Sequence, residues 1–196
     1  MRACLLFVPA AALVLAGCGG GNKVLARVGD QEVTQSQVKE AIAYLEYEAD
    51  REGRGFPVKD SPERKKAEQD LLELLIKRAR YEIEAEKLGV GVSLVEVRAR
   101  IGGGEEDSAH PPPGLAYHEA SVRSAILYGR LFERVTRSVK VSDAEVRAFY
   151  DAHREAYSQP FAEVRETLRG QLLAAHRNEV MRRWELRIER ELPARR

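Results

Sequence analysis

The chain has 196 residues, enough for one ordinary hydrophobic core, and its 44% hydrophobic content is typical of a globular domain. It has 32 Lys and Arg residues and 31 Asp and Glu residues, and the two counts are equal when Arg2, near the N-terminus, is left out. Because these charges balance and are interspersed along the chain, a nucleic-acid partner is not expected. Charged residues form 32% of the chain and aromatic residues only 7%, a composition that favours amphipathic helices and predicts a mainly α fold.

The N-terminal segment has the layout of a secretory signal. Arg2 supplies a positive start, and the stretch 5–16 is apolar and uncharged but too short to span a bilayer comfortably. The four residues that close this stretch, Leu15-Ala16-Gly17-Cys18, resemble the lipobox of bacterial lipoproteins. That resemblance implies removal of residues 1–17, attachment of a diacylglycerol to Cys18, and an extracytoplasmic protein anchored by lipid to a bacterial membrane. The alternatives are an ordinary signal peptide in which the cysteine is incidental, and a short anchor that stays.

The cysteines and histidines exclude several kinds of chemistry. The chain has two cysteines, of which Cys4 lies in the predicted leader and Cys18 would be blocked by lipid. The mature chain can therefore form no internal disulfide, no redox pair and no cysteine-ligated zinc site. The four histidines lie on separate segments: His110, His118, His153 and His176. Their spacing fits no metal motif, so neither a metal nor another cofactor is predicted.

Apolar spacing and helix caps predict the secondary structure in chain order. The glycine-rich residues 18–23 predict a flexible tether that keeps the folded part close to the membrane. The folded part is predicted to contain strands at 24–28 and 32–34, helices at 35–51, 62–89, 94–101 and 115–139, a helix from 143 whose apolar stripe runs to Tyr157, and a final helix from Phe161 almost to Pro193. Capping signals mark two helix starts, Ser61-Pro62 and Ser142 with Glu145. Segment 102–113, rich in glycine, acid and proline, is predicted to be a flexible insertion.

The final helix carries a largely apolar row with unusual spacing. Its members recur at every fourth position: Val164, Leu168, Leu172, His176, Val180, Trp184, Ile188 and Leu192. Because four residues turn a helix by about 40° more than one full turn, the row winds around the helix and no single flat partner can cover it. Either the helix packs between several neighbours, or part of the row, including Trp184, is an exposed surface that contacts other proteins.

Segments spread along the chain resemble the SurA and PrsA type of extracytoplasmic chaperone. They lie in the same order as in that family: Val24 to Thr34, Leu74 to Arg78, Glu84 to Val90, Ser93 to Arg100, Val139 to Val146 with Phe149-Tyr150, and Phe161 to Trp184. The resemblance implies an amphipathic helical chaperone domain with a short N-terminal β segment and a long C-terminal helix. This single SurA-N-like domain would occupy residues 24–196, with an N-terminal core at 24–158 and the C-terminal helix at 159–196.

One departure from the family limits what the resemblance implies. Many members carry a parvulin-type prolyl isomerase domain between the tyrosine-bearing helix and the terminal helix. In this chain Tyr157-Ser158-Gln159-Pro160 runs directly into Phe161. The isomerase insert is therefore expected to be missing, no catalytic residue is carried over, and the protein is not expected to be an enzyme.

The resemblance then implies a lipid-anchored protein that binds unfolded or apolar segments of secreted and envelope proteins. The residues predicted to contact these clients are Phe161, Leu172, Met181 and Trp184. Two alternatives stay open: a structural or assembly lipoprotein that docks one dedicated envelope partner, and residual prolyl isomerase activity. No feature of the sequence predicts an oligomeric state.

Overall fold

The computed structural model describes residues 22–102 and 112–196. The elements in chain order are β1 (Val24–Val28), β2 (Gln31–Thr34), α1 (Gln35–Arg51), α2 (Pro62–Lys87), α3 (Leu94–Ile101), α4 (Leu115–Thr136), α5 (Asp143–Ala152), a 3₁₀ turn (Arg154–Ala156), α6 (Phe161–Glu191) and β3 (Ala194–Arg195). The prediction of a mainly α fold with a short N-terminal β segment and a long C-terminal helix is confirmed. The predicted leader, Cys18 and most of the tether lie outside the described residues, as does 103–111 of the predicted insertion.

A small antiparallel sheet, in the strand order β2-β1-β3, joins the two ends of the described chain. The hairpin of β1 and β2 places Val28 opposite Gln31, and Gly29 between them has a φ of 59°, as the first loop position of a type II′ turn requires. On the other edge of β1, Val28 lies opposite Ala194 of β3. The sequence did not predict β3, because a two-residue strand has no periodicity and forms only where β1 offers an edge.

Side-chain caps explain where the helices begin. Thr34 with Gln37 forms a capping box at the start of α1, and Ser142 with Glu145 forms the predicted one at the start of α5. The Ser61 side chain accepts a hydrogen bond from the third residue of α2, which has Pro62 at its first position, also as predicted. These caps satisfy backbone N–H groups that a helix leaves without partners.

The helix from Asp143 is shorter than its apolar stripe indicated. It ends at Ala152, and His153 follows as its C-cap, with the imidazole Nδ1 2.9 Å from the Phe149 carbonyl oxygen. The chain then turns through a 3₁₀ segment, and Tyr157 returns to stack on Tyr150 with a centroid distance of 5.6 Å. Tyr157 therefore packs on the apolar cluster that contains Tyr150 of α5, without belonging to that helix.

Helix α6 packs against different neighbours along its length. Its first half meets α5 through Leu168, its second half meets α2 and α4 through Trp184 and Ile188, and Leu192 reaches the cluster beneath the sheet. The winding apolar row is thus covered by successive partners, which confirms the first of the two alternatives. Within 22–102 and 112–196, no helix combines the length and the apolarity needed to cross a membrane.

Candidate functional site

Two of the four residues predicted to contact clients are interior. Trp184 is 8% exposed and Met181 is 2% exposed, and both belong to a core cluster formed by α2, α4 and α6. The Trp184 ring stacks on Tyr81 of α2 with ring centroids 5.9 Å apart. The prediction that Trp184 and Met181 form a client-facing surface is therefore wrong, because two neighbouring helices cover this part of α6.

Polar contacts close the outer edge of the same helix interface. The Tyr81 hydroxyl donates a hydrogen bond to the Glu185 carboxylate, whose Oε1 also lies 3.4 Å from the ammonium of Lys77. Burial, and next the hydrogen bond to Glu185, raise the pKa of Tyr81 well above its ordinary value, so this hydroxyl stays protonated. The interface between α2 and α6 is thus a fixed structural contact.

Phe161 and Leu172, the other two predicted client contacts, are half-buried at the junction of α5 and α6. Both pack on a cluster that includes Tyr150, and the ring of Phe161 meets that of Tyr150 edge-on at 5.4 Å. The guanidinium of Arg147 covers the Phe161 ring at 4.9 Å. Phe161 and Leu172 pack on the same cluster at different points along α6, whereas Trp184 belongs to another cluster, and the contacts of Phe161 and Leu172 hold α5 on α6.

A cleft of about 470 Å³ lies between α1 and α2, beside the N-terminal strand. Its apolar floor is formed by Leu25 of β1, Val38 and Ile42 of α1, and Leu72 of α2. The same residues belong to the core cluster that fixes α1 against α2, so the floor is held by packing on its inner side. This cleft is the candidate functional site.

The two helices that form the walls run antiparallel. Glu46, late in α1, pairs with Arg64 in the first turn of α2, whereas Val38, early in α1, shares its cluster with Leu72. The α1 wall extends from Gln35 to Glu46, which corresponds to about 16 Å at the helical rise. An extended peptide of about five residues has this length.

Ion pairs occupy most of the charged groups on the rim. Arg64, whose side chain is only 11% exposed, pairs with Glu46 and lies 3.5 Å from Glu68, and its guanidinium stands 5.1 Å above the Phe56 ring. At the opposite end of the cleft, Arg196 pairs with Glu73. These contacts stiffen both ends of the cleft, while the middle of its floor stays apolar.

Sequence reasoning missed this cleft. The apolar spacing predicted a helix at 35–51, on which Val38 and Ile42 form an apolar stripe that packs in a core cluster. Nothing in that periodicity reveals that a gap remains between α1 and α2 above this stripe. Within the described ranges, no group of three or more His, Cys, Asp or Glu side chains is placed to hold a metal ion.

The fold defines a helical domain in which a β-hairpin and two antiparallel helices surround an open apolar cleft. The chain belongs to the family of SurA-like N-terminal domains, whose model matches residues 2–106, more than half of its length. The matched part contains β1, β2 and α1 to α3, and therefore both walls of the cleft. Comparisons with curated proteins and with solved structures found no match.

Proposed function

We propose that this protein is an extracytoplasmic chaperone-like lipoprotein that holds extended apolar segments of unfolded secreted or envelope proteins in the α1–α2 cleft. The observation that carries the proposal is the cleft itself, which opens to solvent above an apolar floor and whose two walls lie inside the part of the chain that matches the SurA-like family. Unfolded chains expose apolar side chains and backbone, and such a floor can cover them without demanding one sequence.

The size of the cleft predicts weak and promiscuous binding. Two or three client side chains buried on the floor contribute about 4–8 kcal/mol, which the ordering of the client and its lost translational freedom offset in part. A lipid anchor compensates for weak affinity by concentrating the domain where exported chains arrive. Low affinity also permits release, which a holding chaperone needs.

The proposed activity is binding, without bond chemistry. The chain passes from α5, which ends at Ala152, to α6, which begins at Phe161, through only eight residues. A segment of that length is too short to form a further domain. This supports the proposal that the protein acts without an inserted isomerase.

Filling the cleft should weaken client binding. Ala43 is half-buried on the α1 wall and Gln69 is exposed on the α2 wall, so Ala43→Trp and Gln69→Trp each place a bulky ring above the floor. We expect each variant of the full chain, kept in mild non-ionic detergent, to bind a fluorescent apolar peptide about tenfold more weakly and to lose its ability to slow aggregation of an unfolded secreted protein, because the apolar area is already covered. Fluorescence anisotropy and light scattering measure the two effects.

The matched control is Ala175→Trp, which adds the same ring at an exposed position of α6. Circular dichroism shows whether each variant is folded. Folded cleft variants that bind the peptide as tightly as the wild type would refute the cleft as the binding site. If the wild type itself protects no unfolded protein, docking of one folded envelope partner becomes the better account.

The lipid anchor is tested by Cys18→Ser. The serine hydroxyl cannot form the thioether to diacylglycerol, so we expect this variant to leave the membrane fraction of bacterial cells or to remain there only as an uncleaved precursor of higher mass. Fractionation followed by intact-mass spectrometry distinguishes these forms. Cys4→Ser, which changes the cysteine inside the predicted leader, should stay lipidated at Cys18. A wild-type protein without a lipid mass at residue 18 would exclude the anchor.

A further inference from the structure

Two lysines on the rim of the cleft carry charge that is not neutralised within the described part of the chain. Lys39 stands on the α1 wall and Lys65 on the α2 wall, and both are exposed. Neither makes an ion pair or a side-chain hydrogen bond with any residue in 22–102 or 112–196, whereas Arg64 of the same rim is paired with two carboxylates. The cleft therefore presents two available ammonium groups above an apolar floor.

The spacing of the two lysines matches an extended chain. Lys39 and Glu46 are seven residues apart on α1, which is about 10 Å along the helix. Glu46 pairs with Arg64, the neighbour of Lys65 in the first turn of α2. The two lysines thus stand on opposite walls and about 10 Å apart along the cleft, a distance that an extended peptide covers in about three residues.

We infer that the cleft selects apolar segments bracketed by acidic residues, with the two Asp or Glu side chains about three positions apart. The acidic side chains pair with Lys39 and Lys65 on the two walls, while apolar residues of the same segment lie on the floor. This inference rests on the proposed function and specifies the class of segment that the cleft prefers. Each pair is exposed to water, so it contributes a modest factor of about two to five in affinity and mainly fixes the register of the bound segment.

Three peptides with one shared apolar core test this preference. The core is flanked by Glu in the first peptide, by Gln in the second and by Lys in the third, and each is titrated with the full chain in non-ionic detergent, against a detergent-only blank. We expect the Glu-flanked peptide to bind about three- to tenfold more tightly than the Gln-flanked one, and the Lys-flanked peptide to bind most weakly. Raising the salt concentration from about 50 mM to about 500 mM should reduce these differences, because salt screens exposed charges.

Charge reversal at the two lysines should invert the order. The double variant Lys39→Glu, Lys65→Glu should prefer the Lys-flanked peptide and bind the Glu-flanked peptide most weakly. Lys140→Glu, at an exposed position outside the cleft lining, serves as the control and should leave the order unchanged.

The outcomes separate this inference from the proposed function. If the double variant binds all three peptides with the wild-type order, the lysines do not select the segment, and the inference is overturned while the cleft remains the binding site. If the wild type binds none of the peptides, the proposed function fails and this inference fails with it. If the double variant inverts the order of the peptides and Lys140→Glu does not, the result supports both the proposed function and the selection by the two lysines.

Discussion

Replacing Trp184 by alanine should lower the free energy of unfolding by about 3–5 kcal/mol, the range for removing a large buried aromatic side chain. Trp184 is 8% exposed, and its ring is stacked on Tyr81 between α2, α4 and α6. Alanine would leave a cavity where three helices meet, and a rigid helix interface closes such a cavity only in part. Urea unfolding followed by far-ultraviolet circular dichroism measures the change without relying on the fluorescence of the tryptophan.

Leu186→Ala is the matched control for this prediction. Leu186 lies two residues further along α6 but is 45% exposed, so its truncation should change the unfolding free energy by less than about 1 kcal/mol. A Trp184→Ala protein that keeps wild-type stability and yet binds apolar peptides more weakly would contradict the packed arrangement. That result would restore Trp184 as a client-contacting residue.

A second large loss of stability is expected for Gly114→Ala, at the start of α4. Gly114 has a φ of 72°, in the left-handed region, where a side chain adds about 1–2 kcal/mol of strain. A Cβ at this position would also lie 2.8 Å from the Cβ of Tyr44 and would clash with the Glu40 carbonyl oxygen in α1. Because α1 would have to shift, we expect a total loss of about 3 kcal/mol or more in urea unfolding.

The same helix supplies the control for Gly114→Ala. Gly129 lies inside α4, and an added Cβ there would meet no atom within 4 Å. Gly129→Ala should therefore stabilise the protein by about 0.5–1 kcal/mol, because alanine restricts the unfolded chain and favours the helix. Equal stability of the Gly114→Ala and wild-type proteins would show that α4 does not rest closely on α1 at this point.

Local signals in the sequence were sufficient for most helices. Ser61-Pro62 and the pair Ser142 and Glu145 mark helix starts through contacts within four residues, so these boundaries do not depend on the rest of the fold. The end of α5 was harder to predict, because the apolar stripe continues to Tyr157 although the helix stops at Ala152. An apolar residue outside a helix can reach the same cluster through a turn, and periodicity does not distinguish the two cases.

The α6 row shows where sequence reasoning ends. Its four-residue repeat established from the sequence that the row winds around the helix, since helical geometry alone determines that rotation. Which members are covered was decided by the tertiary structure, which places α2 and α4 over Met181 and Trp184. Burial depends on neighbours that are distant in the chain, and no local pattern specifies them.

The candidate site likewise depends on the tertiary structure. The sequence established that α1 and α2 are amphipathic helices, because the spacing of their apolar residues is a local property. The cleft between them, with Lys39 and Lys65 brought to opposite walls although they are distant in sequence, exists only once the two helices pack antiparallel over β1. A gap is set by the distance between elements, and this distance follows from all the side chains that pack beneath it.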